Sequence, residues 1–306
     1  MSRETSMPAL RQTAPPSVVR AAAKRRRLAV TSEGRKANWF TYAVLAFVIL
    51  ISVFPLYYAV QIASVTTDNM YGWGSFGTGS LALLGEHLRI AFGELNWTVA
   101  LLNTILVSGV CAISVVFFST LAGYSFAKLR FRGKAGLFGF IIATMAIPTQ
   151  LSVVPLYILM SKLGLYGKLE AVIIPGLVTA FGVFWMTQYL EQALPYELIE
   201  AARVDGCSMI RTFWHVALPA ARPAASMLAL FTFVAQWTQY YWPFLVLGSN
   251  NRAVLTVAAS TLAGGRYTDY TLIMSGVVLT SFPLVLLFVF VGKQLVAGIM
   301  AGAVKG

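Results

Sequence analysis

Six long apolar stretches punctuate this chain, near residues 39–62, 97–122, 135–160, 171–190, 224–247 and 271–292. Each is about 20 residues or longer, enough to cross roughly 30 Å of hydrocarbon at a helical rise of 1.5 Å per residue. Inside a bilayer the backbone has no water to bond, so only helices or a closed barrel satisfy its N–H and C=O groups. The stretches are continuous rather than alternating, which selects helices. Composition agrees. Of 306 residues 58% are hydrophobic and 11% charged, against roughly a quarter charged in a soluble domain. The expected fold is therefore an all-α integral membrane bundle of six transmembrane helices.

The charges orient that bundle. The chain carries 23 Lys and Arg against 11 Asp and Glu, a net +12. None of the 23 basic residues and none of the acidic ones falls inside a proposed span. If the N-terminus is cytoplasmic, the segments 1–38, 123–134, 191–223 and 293–306 lie inside and hold 18 of the 23 basic residues. The outer segments 63–96, 161–170 and 248–270 hold the other 5. This bias follows the positive-inside rule and places both ends in the cytoplasm. Spans free of ionisable groups argue against proton- or sodium-coupled transport, which places such groups in the membrane.

Residues 1–38 read as a disordered basic cytoplasmic tail, with Lys24-Arg25-Arg26-Arg27 against anionic lipid rather than nucleic acid. It is too long for the n-region of a cleaved signal. The six-helix transmembrane body follows at 39–297 and a short cytoplasmic tail at 298–306. Cys111 lies in an apolar run and Cys207 in a polar loop, so no pairing is expected, and no metal spacing is present. Prolines 55, 148, 155, 175, 243 and 283 fall within spans and are expected to kink them.

The connection 191–223 is the most informative segment. Pro195 suits the first position of a helix, and Leu194, Leu198, Ala201 and Ala202 share one side of it, with Glu197, Glu200 and Arg203 elsewhere. Asp205-Gly206 ends that helix and Ser208 caps the next, whose apolar stripe is Ile210, Phe213, Trp214 and Ala217. Pro219 and Pro223 are expected to break the chain before the fifth span. Such a hairpin would lie on a membrane surface, but its first helix is acidic, and Ala201-Ala202 offers a small surface for close approach by another protein.

At these residues the chain resembles the permeases of ABC importers. Glu200-Ala201-Ala202, Gly206, Val216, Leu218 and Pro219 match the family's EAA loop, with only Val216 in place of Ile. Asp205, Pro195 and Glu197 resemble its carbohydrate branch, the maltose-type "G" permeases. Asn103, the run 122–127, Ile147-Pro148, Pro155-Leu156-Tyr157 and the ending 301–306 extend the resemblance from about residue 40 onward. Trp237-Thr238 and Leu255-Thr256 depart from the branch's Trp-Asn and Leu-Pro.

The resemblance implies a type I importer permease of MetI-like architecture in the inner membrane of a prokaryote. Such a subunit does no chemistry. It pairs with a second permease, docks on ATP-binding cassette ATPase subunits that hydrolyse the ATP, and receives sugar from an extracellular solute-binding protein. Glu200, Ala201, Ala202, Asp205, Gly206, Leu218 and Pro219 would couple to the ATPase, Glu200 through a basic residue of that partner. No G-x-x-x-x-G-K-S/T occurs here, in keeping with an ATP site on another subunit. Asn103, Gln150, Gln188 and Gln236 are candidates for the sugar path, or for bonds between helices. Gln239 is another polar residue of the spans with the same two readings. Trp237, Tyr240, Tyr241 and Trp242 would stack on sugar rings or form an interfacial belt. Rival readings are a permease for a non-sugar solute, an ATP-independent secondary transporter, which would want inverted repeats or buried ionisable groups, and a membrane enzyme. The last lacks clustered catalytic groups: His87 and His215 fall on opposite sides of the membrane.

Overall fold

The computed structural model describes residues 38–70, 79–248, 253–264 and 269–303. The tail expected to be disordered, with its Lys24-Arg25-Arg26-Arg27 run, and the terminal Val304-Lys305-Gly306 lie outside the described residues. The described chain is helical, with no strand among the described residues. It divides into two compact units at Pro55/Leu56. The first holds the start of helix α1, Trp39–Ala63, whose side chains from Trp39 to Tyr58 are all exposed. A helix apolar all round and unburied is a helix built for lipid.

In the second unit, α2 (Leu81–Glu94) packs along the last helix, α13 (Tyr270–Ala303). Asp269 starts α13: its Oδ1 accepts from the Thr271 amide at 2.9 Å and hydroxyl at 2.6 Å. The helix continues to Ala303, past the 297/298 boundary expected from sequence. The centre of the bundle is α3 (Trp97–Lys128), α7 (Ala180–Ala193) and α10 (Leu218–Thr238). Lipid is as apolar as any side chain, so helices in a bilayer associate by close packing. Small residues line this contact: Gly123 and Gly182 bring α3 and α7 together, while Ala217, Ala221 and Ala224 are buried with Val115, Met186, Leu190 and Leu228.

Five helices are long and apolar enough to span a bilayer, and a bent pair supplies the sixth. The pair occupies the span expected at 135–160 and bends it far more sharply than a proline kink. Here α4 (Lys134–Met145) and the segment Thr149–Lys162, which contains α5 (Val153–Lys162), meet at 91°. Pro148 sits at the turn and has no N–H to continue the helical ladder.

The fourth span is also interrupted. After α6 (Glu170–Ile173) the chain leaves α-helix and resumes it at α7, whose cap Thr179 accepts from the Gly182 amide at 3.1 Å. The freed carbonyls are met from α3: Ser114 Oγ donates to Leu177 O at 2.9 Å, and Cys111 Sγ lies 3.7 Å from Ile173 O. This is how a broken helix is tolerated at membrane depth.

Pro219 and Pro223 do not break the chain before the fifth span. One continuous helical segment runs Met209–Thr238, through α9 (Met209–Thr212), a wide π turn at Phe213–Ala217, and α10. The extra residue of the π turn gives the Pro219 ring the room an ordinary α turn would deny it. The expected span 224–247 thus begins earlier and ends at Thr238, followed by a separate helix, α11 (Tyr241–Leu247). Between that and α13 lies α12 (Leu255–Thr261).

Candidate functional site

The connection between the fourth and fifth spans forms two helices and a joint. Its first helix, α8, runs Tyr196–Val204 with Pro195 as its N-cap, one position before the helix rather than within it. Gly206 closes it at φ +77°. The Cys207 amide donates to Ala202 O at 2.9 Å, and the Gly206 amide donates to Arg203 O at 3.0 Å. Those two bonds define a Schellman cap, which needs the left-handed backbone that glycine adopts without steric cost. Ser208 then caps α9, its Oγ accepting from the Arg211 amide at 3.3 Å.

The inward faces differ from the stripes read from sequence. On α8 the buried residues are Ile199 and Ala202, while Leu198 and Ala201 are exposed. In the second helix Phe213 and Ala217 are buried with Thr212, while Ile210 and Trp214 are exposed. Leu194, Ile199 and Phe213 belong to the same core as Tyr124, Met186 and Leu190 of the spans. The Phe213 ring lies tilted against Tyr124, 6.0 Å between ring centroids. The hairpin is therefore rooted in the bundle. Its other side carries Glu200, Ala201, Val204, Asp205, Met209 and Ile210, all open on the single chain. Exposed Pro219 and half-buried Val216 and Leu218 follow at the start of the fifth span.

A residue outside the motif completes the joint. Lys128, the last residue of α3, is 5% exposed. Its Nζ donates to Glu191 O in the last turn of α7 at 3.0 Å and stands 4.7 Å above the Tyr196 ring. Tyr196 Oη donates to Ala127 O at 3.5 Å. Sequence reading counted Lys128 only as one more positive charge inside. A basic residue ending a long span carries no further signal.

The four candidate path residues are not gathered together by the contacts they make. Asn103 Nδ2 donates to Ala253 O at 3.1 Å, tying α3 to the segment before α12. There the Leu255 amide donates to Thr104 Oγ1 at 2.8 Å. Gln150 is exposed at the α4–α5 bend, and Gln188 is half-buried on α7. Gln236 is half-buried on α10, and its Oε1 is buried with no hydrogen-bond partner among the described residues. Gln239 O accepts from Thr256 Oγ1 at 2.8 Å. The aromatic cluster splits: Trp237 and Trp242 are core residues, the latter donating to Ala171 O at 3.1 Å, while Tyr240 and Tyr241 are exposed.

The site is thus a capped, bundle-rooted hairpin between the fourth and fifth spans of a helical membrane bundle. Residues 116–300 match the family described as "Binding-protein-dependent transport system inner membrane component". The chain is 31% identical over 274 residues to the arabinooligosaccharides transport system permease protein AraQ of Halalkalibacterium halodurans, covering 88% of this chain and 97% of the relative. It is 29% identical over 265 residues to the lactose transport system permease protein LacG of Rhizobium radiobacter, covering 86% and 95%. Its fold matches a chain from the crystal structure of a bacterial ABC transporter involved in the import of the acidic polysaccharide alginate. That match has a TM-score of 0.68 at 20% identity, over 83% of this chain and 94% of the other. The chain belongs to the binding-protein-dependent transport system inner membrane component family: it is a multi-pass, non-enzymatic permease of an ABC importer, on the carbohydrate branch.

Proposed function

We propose that this chain forms half of the translocation pathway of an ATP-driven oligosaccharide or disaccharide importer, alongside a second, homologous permease. In this reading α8 is the element gripped by an ATP-binding cassette ATPase. Glu200 meets a basic residue of that partner, and Ala201 allows the close approach. Ala202, on the inner side of the same helix, hands the movement to the bundle together with Ile199. Asp205-Gly206 keeps the two halves of the hairpin at a set angle. Both termini are cytoplasmic, on the side of α8, and the segment 248–270 faces the extracellular solute-binding protein. ATP is bound and hydrolysed by the partner, and this chain holds no cofactor.

The observation that carries the proposal is the two-sidedness of α8. Glu200 and Ala201 lie open while Ile199 sits in one core with Tyr124, Met186 and Leu190 of the spans. An exposed small-residue surface backed by a rigid connection is what a coupling element requires. The test is Glu200→Lys and Gly206→Pro in the reconstituted importer. Both are expected to insert normally, abolish sugar uptake and leave ATP hydrolysis uncoupled from it. Normal uptake in both would refute the coupling role. Ligand binding to the cognate solute-binding protein would identify the sugar, and a non-sugar ligand there would remove the carbohydrate assignment while leaving the coupling role intact.

For the sugar path, Gln236 is the favoured contact of the four candidates. A buried acceptor with no partner is costly in an apolar bundle, and a passing sugar hydroxyl is a donor of the kind it lacks.

A further inference from the structure

We infer that Lys128 is a positioning residue that clamps α8 to the ends of α3 and α7, so that a pull on α8 moves the spans instead of flexing the joint between them; the inference rests on the coupling role proposed for the 191–223 hairpin.

The geometry places Lys128 astride that joint. On one side it holds Glu191, in the last turn of α7, through a 3.0 Å hydrogen bond to the carbonyl. On the other it stands over the ring of Tyr196, the first residue of α8. The Tyr196 hydroxyl returns to Ala127, beside Lys128 on α3. Between these two anchors lie Gln192, Ala193, the buried Leu194 and Pro195, and the N-cap of α8 makes no side-chain capping bond of its own. The end of α3 thus supplies what the start of α8 lacks.

Packing alone does not call for an ammonium here. A methionine has nearly the same reach and suits an apolar niche better. A buried ammonium is costly unless its donors find acceptors. Here the acceptors are a carbonyl at a helix C-terminus, where positive charge is favoured, and an aromatic face. Both are directional, and they belong to the two elements whose relative angle the coupling stroke must preserve. The carboxylates of Glu191 and Glu197 and the ammonium of Lys134 are the charged groups around it.

The experiment uses the complete importer in proteoliposomes, with both permeases, the ATPase and the solute-binding protein, and measures ATP hydrolysed per sugar imported. A fall in the amount of folded complex lowers both rates and leaves this ratio unchanged, so the ratio separates coupling from simple stability. Lys128→Met is expected to raise the ratio several-fold, and Lys128→Arg, which restores a donor and a cation over the ring, to return it close to the starting value. Tyr196→Leu should also raise the ratio, and the double variant should be no worse than the more impaired single one, since both remove the same clamp. A wild-type ratio in Lys128→Met overturns the inference, as does failure of that chain to co-purify with the ATPase, which would make Lys128 a folding residue. Glu200→Lys is measured alongside. If it uncouples while Lys128→Met does not, the clamp alone is wrong. If Glu200→Lys imports sugar normally, the coupling reading falls first.

Discussion

Gly123 of α3 lies against Met186 of α7 so closely that a Cβ on Gly123 would stand 2.7 Å from the Met186 Cβ and 2.8 Å from its carbonyl carbon. Backbone cannot step aside as a flexible side-chain tip would, so any residue larger than glycine must part the two helices. Overpacking of this kind costs about 1–3 kcal/mol. Gly123→Ala should lower the unfolding midpoint of the detergent-solubilised complex, and Gly123→Val should lower it further. An unchanged midpoint for Gly123→Val would mean that α3 and α7 do not meet at this distance.

Gly206 is constrained differently. A Cβ there would meet nothing within 4 Å, yet its φ is +77°. The constraint is conformational, and a left-handed non-glycine residue costs about 1–2 kcal/mol. Asparagine tolerates that region better than alanine. Transport should therefore fall in the order Gly, Asn, Ala, with proline worst because it also removes the amide that bonds Arg203 O. Uptake rates for Gly206→Asn and Gly206→Ala, normalised to membrane-inserted protein, check the ranking. Equal rates for the two would show that the cap geometry is not what matters.

Phe213 is the bulkiest buried root of the hairpin, 3% exposed, its ring tilted against that of Tyr124. Truncating a buried Phe to Ala costs about 3–5 kcal/mol. Phe213→Ala should loosen the second helix from the bundle, exposing the Arg211–Thr212 bond to trypsin. Trp214→Ala removes a half-exposed ring and should have a far smaller effect. Cleavage rates that rank the two the other way would place the wrong residue in the core.

The spans were legible because a bilayer imposes a single rule, about 20 apolar residues per crossing, and five helices and one bent pair answer to it. The hairpin's joint was legible because Gly206 and Ser208 act locally, one on its own φ and the other on an amide three residues away. What failed were features settled by tertiary packing. Pro148 announces a lost hydrogen bond but not a 91° turn. Pro219 reads as a breaker until the π turn at Phe213–Ala217 makes room for it. The inward side of α8 was misplaced by one position, Leu198 for Ile199, because the two are adjacent and both apolar, so the packing of α8 on the bundle decides between them. Lys128 was missed as a site since its partners, a carbonyl and a ring, lie 63 and 68 positions away along the chain.

Gln236 separates stability from transport. Its Oε1 is buried without a partner among the described residues, while its Nε2 faces Gly176 in the interrupted fourth span, 2.8 Å from where a Cβ on that glycine would stand. An unsatisfied buried polar group costs about 1–3 kcal/mol, so Gln236→Leu, of similar bulk, should raise the unfolding midpoint. Proteins retain such costs where function needs the group. If the amide serves passing hydroxyls, the more stable variant should import sugar with a raised KM and an unchanged ATP-to-sugar ratio, because the coupling hairpin is untouched. A variant that is both more stable and fully active would make Gln236 a packing defect beside the interrupted fourth span and remove it from the path. A variant that is less stable would mean that the amide makes a bond on which the bundle depends.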